Sequence, residues 1–284
     1  MSDSKPENVR RTVEKAYARA ISKKPSSCCS SSCCTPASAP AAEQIGYSSE
    51  ELDAVPVEAA TSSFGCGNPL AFADVKPGQT VVDLGSGAGL DLLLAARVVG
   101  PAGKVIGIDM TDAMIATARS NVARAGAANV EIRKGLIEDL PVDDASADWV
   151  ISNCVINLSP EKERVFAEIQ RVLKPGGTMQ VSDIVAQDLP EWVRASQSLL
   201  TSCVAGAITE EEYLEGLRRA GLVDVEVTER VVYSASEIRG FLLEGELVAT
   251  AAAEGLDLSP AEAERIAEVL AGKVWSAKIR ARKG

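Results

Sequence analysis

The stretch TVVDLGSGAGLDLLLAARVVG, residues 80–100, constrains the fold more than any other part of this chain. A short, continuously apolar run ends in a glycine-rich turn and passes directly into a helical pattern. A run of that kind belongs to a parallel strand buried on both faces. The unit then repeats. KVIGIDM predicts a second strand, TDAMIATARSNVARAG a second helix, VEIRKGLI a third strand and SADWVISNCVI a fourth. PEKERVFAEIQRVL is a helix that stops at Lys174-Pro175-Gly176-Gly177, and TMQVSDIV follows as a fifth strand. Strand–helix alternation at this spacing predicts an α/β, doubly wound (Rossmann-like) parallel sheet. Residues 190–220 predict two helices. VDVEVTERVVY alternates with period two, as an edge strand does. Two helical stretches and a strand-like WSAKIRAR complete the sequence. Three regions follow: an N-terminal helix with a flexible Cys-rich linker (1–42), a main domain (43–224), and a small α+β C-terminal appendage (225–284).

Composition narrows the function. Twenty-nine basic and 40 acidic residues leave a net charge of −11, which repels phosphate backbones and argues against nucleic acid as a partner. No apolar run reaches the roughly 18 residues that span a membrane. The N-terminal MSDSKPENVRRTVEKAYARA is charged, helical in pattern and without an apolar signal core, so a cytoplasmic location is expected. The chain has seven cysteines and no histidine. The odd count argues against a fully paired disulfide framework, and in a reducing compartment most should be thiols. Without histidine there is no Ser-His-Asp triad, no His-ligated zinc enzyme and no His general base. Any chemistry falls to cysteine, carboxylates, backbone or a cofactor.

The glycine turn lets backbone approach a ligand, and the helix that follows offers unpaired N–H donors. A dinucleotide fingerprint would need a third glycine at position 90. Leu90 stands there, so the pattern is GxGxG with Asp83 before it. That arrangement resembles the S-adenosylmethionine loop of class I methyltransferases. The resemblance implies a cofactor lining of Asp83, Gly85, Ser86, Gly87, Asp109, Met110, Ile137, Glu138 and Asn153. Asp83 would help hold the cationic methionine end. Asp109 would take both ribose hydroxyls through its two oxygens. Met110 would pack on the adenine face, Ile137-Glu138 would meet its edge, and Asn153 would face the cofactor cleft.

Three further cysteines lie at wide intervals around this loop. Cys66 sits in GCGNP, where the flanking glycines suggest an exposed side chain on adaptable backbone. Cys154 follows Asn153 at the carboxyl end of a strand, the edge where open α/β sheets bind ligands. Cys203 follows the apolar SLLTS. Each of them could equally bury as a small hydrophobe. Taken together, GCGNP, VVDLGSGAGLDLLLAA, SNCVINLSP, VLKPGG with SDI after it, and Cys203 before ITEEEY resemble the arsenite S-adenosylmethionine methyltransferases, an arsenic-detoxifying family. The resemblance runs from about residue 44 to the terminal VWSAKIRARK. It implies that Cys66, Cys154 and Cys203 bind As(III), with arsenite and methylarsenite as substrates. As(III) is soft and trigonal pyramidal, so three thiolates satisfy it and leave a lone pair for the methyl group. No proton leaves that nucleophile, which fits a chain without histidine.

The resemblance also implies a fourth, redox-active cysteine and a thiol reductant, thioredoxin or glutathione. Here the sequence departs from the family. Cys28, Cys29, Cys33 and Cys34 occupy a Ser/Pro/Ala-rich run, and none is the single obvious equivalent. Two other functions fit the same residues. One is methylation of a small quinone- or sterol-like molecule, for which the cysteines would be indifferent. The other is non-catalytic binding of soft metals.

Overall fold

A computed structural model describes residues 5–22, 42–43, 46–62, 65–196, 199–200, 203–243 and 259–284. Cys28, Cys29, Cys33 and Cys34, with the linker expected around them, lie outside the described residues. The N-terminal helix is present as α1 (Lys5–Ser22). Two short helices, α2 (Ser49–Asp53) and α3 (Val57–Thr61), lead to the repeating core. That core runs β1 (Thr80–Leu84), α4 (Leu90–Val99), β2 (Lys104–Asp109), α5 (Asp112–Ala125), β3 (Val130–Lys134), β4 (Ala147–Asn153), α6 (Lys162–Val172) and β5 (Leu173–Ala186). After α7 (Glu191–Arg194) and α8 (Glu210–Arg219) come β6 (Leu222–Val232), α9 (Ala235–Leu243), α10 (Pro260–Leu270) and β7 (Val274–Lys283).

The sheet has seven strands in the order β3-β2-β1-β4-β5-β7-β6. The first five are parallel, as the alternation predicts. Their apolar runs conceal a period of two. Val81, Val105, Trp149 and Ile151 pack under Leu92, Ala95 and Val99 of α4. Val82, Leu84, Ile106, Ile108 and Val150 face the other way, onto Val165, Phe166 and Ile169 of α6 and Tyr213 and Leu217 of α8. Burying an aliphatic side chain of this size contributes about 1.5–3 kcal/mol, so both faces of each strand stabilise the sheet. At the start of α8, Thr209 accepts from the Glu212 N–H at 3.1 Å while Glu212 caps back onto Thr209 at 2.9 Å, a capping box.

The structure corrects the sequence reading in three places. Lys174-Pro175-Gly176-Gly177 does not precede the fifth strand but lies within it: Leu173 pairs with Ala147 and the register then shifts before Thr178 pairs with Trp149. The helix expected over WVRASQSLL is interrupted: α7 ends at Arg194, Ala195 and Ser196 leave the helix, and helical backbone is described again at Leu199 and Leu200. The residues after 225 are not an appendage. Position 225 falls inside β6, and β7 enters the main sheet antiparallel between β5 and β6. Ala277, Ile279 and Ala281 of β7 are fully buried in the main core, which fixes its place. The period-two segment is indeed the edge strand, β6.

Candidate active site

Sheet order reverses between β1 and β4, since β2 and β3 extend to one side and β5 to the other. Ligands of such sheets bind at the carboxyl ends of the strands beside that reversal. There the structure opens a cleft of about 940 Å³, part of it open to solvent. Its walls include Gly85, Ser86 and Gly87 after β1, Asp109 and Met110 at the end of β2, Ile137 and Glu138 after β3, and Asn153 and Cys154 at the end of β4. Eight of the nine residues expected to hold the cofactor therefore meet at one cavity. The ninth, Asp83, lies just behind the wall, buried in β1.

The glycine loop is shaped by close approach. Gly85 has φ +66°, and a Cβ there would meet Val155 at 2.4 Å. Asp109 braces the loop: its Oδ2 accepts from the Gly87 N–H at 3.0 Å and its Oδ1 from the Thr111 N–H at 2.8 Å. The Thr111 hydroxyl and the Met110 N–H also bond this carboxylate, which lines the cleft. Behind the loop, Asp83 Oδ2 and Ser86 Oγ are buried without a hydrogen-bond partner among the described residues. Burial, reinforced by Asp91 and Asp109, holds the Asp83 carboxyl well above its ordinary range. Burial likewise pushes Asp91 up to about 6, against the hydrogen bonds of Tyr47 and Asn153. Three crowded carboxyls beside an open cleft suit a cationic ligand, and the orphaned oxygens supply acceptors for it.

The three widely spaced cysteines also come together. Cys66 and Cys154 are joined in a disulfide, with Cα atoms 5.8 Å apart. The buried Cys203 thiol donates to the Cys154 carbonyl at 2.8 Å. The expectation of free thiols is thus corrected for one pair, because the Cys66 loop is pressed onto the end of β4 within bonding range. In this joined form no cluster of three or more Cys, Asp or Glu side chains among the described residues is arranged to hold a metal ion. Burial, with Asp183 nearby, pushes the Cys203 thiol far above its ordinary range. The glycines beside Cys66 serve close packing rather than adaptability: a Cβ on Gly65 would meet Asn153 at 2.3 Å and one on Gly67 would meet Ser182 at 2.1 Å.

The sequence shows α1 as a helix but not its place at the cleft. Arg10, Val13 and Tyr17, on one helical face, line the cleft. Arg10 pairs with Glu138 at 3.1 Å and with Glu161. Glu138, expected at the adenine edge, also accepts from Ser159 Oγ at 2.7 Å. Tyr17 hydrogen-bonds Cys203. The spacing of 10, 13 and 17 marks an inward helical face, but nothing local tells what it covers.

Known proteins now bear on this geometry. The model of a family described as methyltransferase domain matches residues 75–221, the strands and loops that build the cleft. This chain belongs to that methyltransferase family. Its fold is the Rossmann-like fold of class I methyltransferases. Among its relatives, the arsenite methyltransferase of Halobacterium salinarum is 45% identical over 238 residues, 80% of this chain and 60% of that protein. The arsenite methyltransferase of Homo sapiens is 38% identical over 173 residues, 57% of this chain and 46% of that one. The crystal structure of an arsenic (III) S-adenosylmethionine methyltransferase from Chlamydomonas reinhardtii superposes with a TM-score of 0.63 at 33% identity, covering 85% of this methyltransferase and 73% of that chain. The methyltransferase spans less than two thirds of the length of either curated relative. Among the described residues no helix is long and apolar enough to cross a membrane.

Proposed function

We propose that this methyltransferase transfers a methyl group from S-adenosylmethionine to arsenite held by Cys66, Cys154 and Cys203, and then to methylarsenite, whose two exchangeable hydroxyls give way to two of those thiolates. One observation carries the reading: cysteines 88 residues apart in sequence are joined at the cleft wall, and a third thiol sits on the carbonyl of one of them. The relatives named as arsenite methyltransferases support the same substrate.

Bound S-adenosylmethionine supplies an electrophilic methyl on a cationic sulfur. The chain's own part is binding and orientation. Gly85 and Gly87 let backbone approach the cofactor. Asp109 presents its carboxylate at the cleft wall to the ribose hydroxyls, and the Asp83–Asp91–Asp109 set favours the positive end. Met110, Ile137 and Glu138 are assigned to the adenine. On the acceptor side, each cysteine that displaces a hydroxyl from As(OH)3 gives its proton to the departing hydroxide, which leaves as water. Three such exchanges need no general base, and the buried Cys203 need never persist as a free thiolate. The arsenic keeps its lone pair, which forms the As–C bond as the methyl–sulfur bond breaks and S-adenosylhomocysteine leaves; arsenic is then formally As(V), and two of its thiolates return it to As(III) by giving up two electrons and closing as a disulfide.

The Cys66–Cys154 bond must open first. Two electrons from a thiol reductant, such as thioredoxin or glutathione in a cytoplasmic setting, return both sulfurs. Cys28, Cys29, Cys33 and Cys34 are assigned as the pool from which a redox partner is drawn. The test is methyl transfer from labelled S-adenosylmethionine to arsenite in excess thiol, with products separated by chromatography. Cys154→Ser and Cys203→Ser should each abolish transfer while leaving cofactor binding intact. Full activity in both would refute the ligand assignment.

A further inference from the structure

Three polar side chains hold the Cys66 loop in place, and one of them, Tyr47, stands outside the cofactor and arsenic sets. Tyr47 Oη donates to Asp91 Oδ1 at 2.7 Å. The Asn153 amide N–H group donates to the Gly67 carbonyl at 2.6 Å and reaches Tyr47 Oη at 3.0 Å and Asp91 Oδ2 at 3.3 Å. Its other end, Oδ1, accepts from the Cys66 N–H at 2.9 Å. One amide thus grips Cys66 from both sides. Because Cys154 is the next residue in the chain, the same amide fixes the partner sulfur's backbone as well. Gly65 packs against it too closely for any side chain. Tyr47 and Asp91 are both buried, and Asp91 stands in the first turn of α4, immediately after the glycine loop. Asn153 and Asp91 also line the cleft. The assembly therefore connects the methyl-donor wall with the backbone of two of the three sulfur residues.

We propose that Tyr47, Asp91 and Asn153 form a positioning bracket that sets Cys66 against Cys154 at the edge of the donor cleft. Its purpose rests on the arsenic reading; its geometry does not. Asn153 spends its hydrogen bonds on the loop, so its main effect falls on the acceptor side rather than on cofactor affinity. Asp91 supplies the carboxylate that keeps the Tyr47 hydroxyl and the Asn153 amide in one orientation.

The experiment uses the full chain with Asn153→Ala and, as a milder change that keeps the buried ring, Tyr47→Phe. S-adenosylmethionine affinity is measured by titration calorimetry, and kcat and KM for arsenite by product formation. After full reduction, closure of the Cys66–Cys154 bond by the thiol oxidant diamide is followed by mass spectrometry of the linked peptides. For Asn153→Ala, closure should slow and arsenite KM should rise by about tenfold or more, with cofactor affinity held within about threefold; tenfold is what one lost hydrogen bond predicts. Tyr47→Phe should move the same readouts in the same direction by less. Closure at the wild-type rate in Asn153→Ala overturns the bracket. So does a loss of cofactor affinity that matches the rise in arsenite KM, since Asn153 would then be a cofactor residue. Should wild-type protein fail to methylate arsenite, the arsenic reading falls, while the closure rate still decides the bracket.

Discussion

Cys154 and Cys203 both take left-handed backbone conformations, with φ of 57° and 64°. A residue with a Cβ pays for that region, on the order of 1–3 kcal/mol, and such positions concentrate at functional sites. Here the Cys154 N–H is held by the Ser182 carbonyl at 2.8 Å and the Cys203 N–H by the Leu200 carbonyl at 2.9 Å. Gly65 is the reciprocal case, a place where a Cβ is forbidden by its neighbour. Gly65→Ala should push the Asn153 amide aside, and the loss of its hydrogen bonds should raise arsenite KM by about tenfold with little change in cofactor affinity, checked by steady-state kinetics and calorimetry. Two buried acids, Asp91 and Asp183, make a second residue-level prediction. Asp91 is raised to about 6 and Asp183 to about 7, both by burial. An acid whose folded pKa exceeds its unfolded value, about 3.9, stabilises the fold fully below that value and loses the contribution as pH rises through the folded pKa. The ligand-free protein should therefore lose stability from these groups between about pH 4 and pH 7. A cationic ligand beside Asp83, Asp91 and Asp109 reverses the effect. The rise in unfolding temperature produced by S-adenosylmethionine should be larger at pH 8 than at pH 5, as differential scanning fluorimetry would read.

At the level of elements, α1 ties the Glu138 side of the cleft, through Arg10, to the thiol side, through Tyr17 and Cys203. Arg10→Ala leaves the buried Glu138 with Ser159 and takes away its charged partner, a change that typically costs about 1–3 kcal/mol locally. Its expected signature is faster proteolytic cleavage within residues 5–22 and a raised KM for S-adenosylmethionine, with kcat for bound substrate much less affected. The sequence reveals α1 as a helix because amphipathic spacing is local. It does not reveal where α1 docks, because the partners Glu138 and Glu161 lie far along the chain. The same divide explains the site. The glycine loop, Asp109 and the strand-end Asn153 were legible since each follows from its place after a strand. The Tyr47–Asp91–Asn153 bracket was not, because Tyr47 sits in a lead-in segment with no periodic pattern and Asp91 reads as an ordinary first-turn helix acid. The Cys66–Cys154 bond was hidden for a similar reason: sequence spacing carries no information on which strand end a loop will touch.

Across the whole molecule, β7 is what sequence reading misplaced, and it matters most for stability. It separates β5 from β6 and pairs along its length with both. Ile279→Asp would bury an unpaired carboxylate between them and should cost about 4 kcal/mol or more, enough to unfold many domains at 37 °C, measured by denaturant titration. The order of the strands also carries a consequence for synthesis. β6 leaves the ribosome before β7, yet among the sheet's strands it bonds only to β7. Until the residues after 273 emerge, β5 shows an open edge and β6 has no strand to join. The nascent chain can close the half built on β1 to β4 early, but the half that carries Ser276, whose hydroxyl donates to the Cys66 carbonyl at 3.1 Å, is completed last. Ribosome-bound chains stalled before residue 274 should accordingly hold the first five strands protected from proteolysis and β6 unprotected.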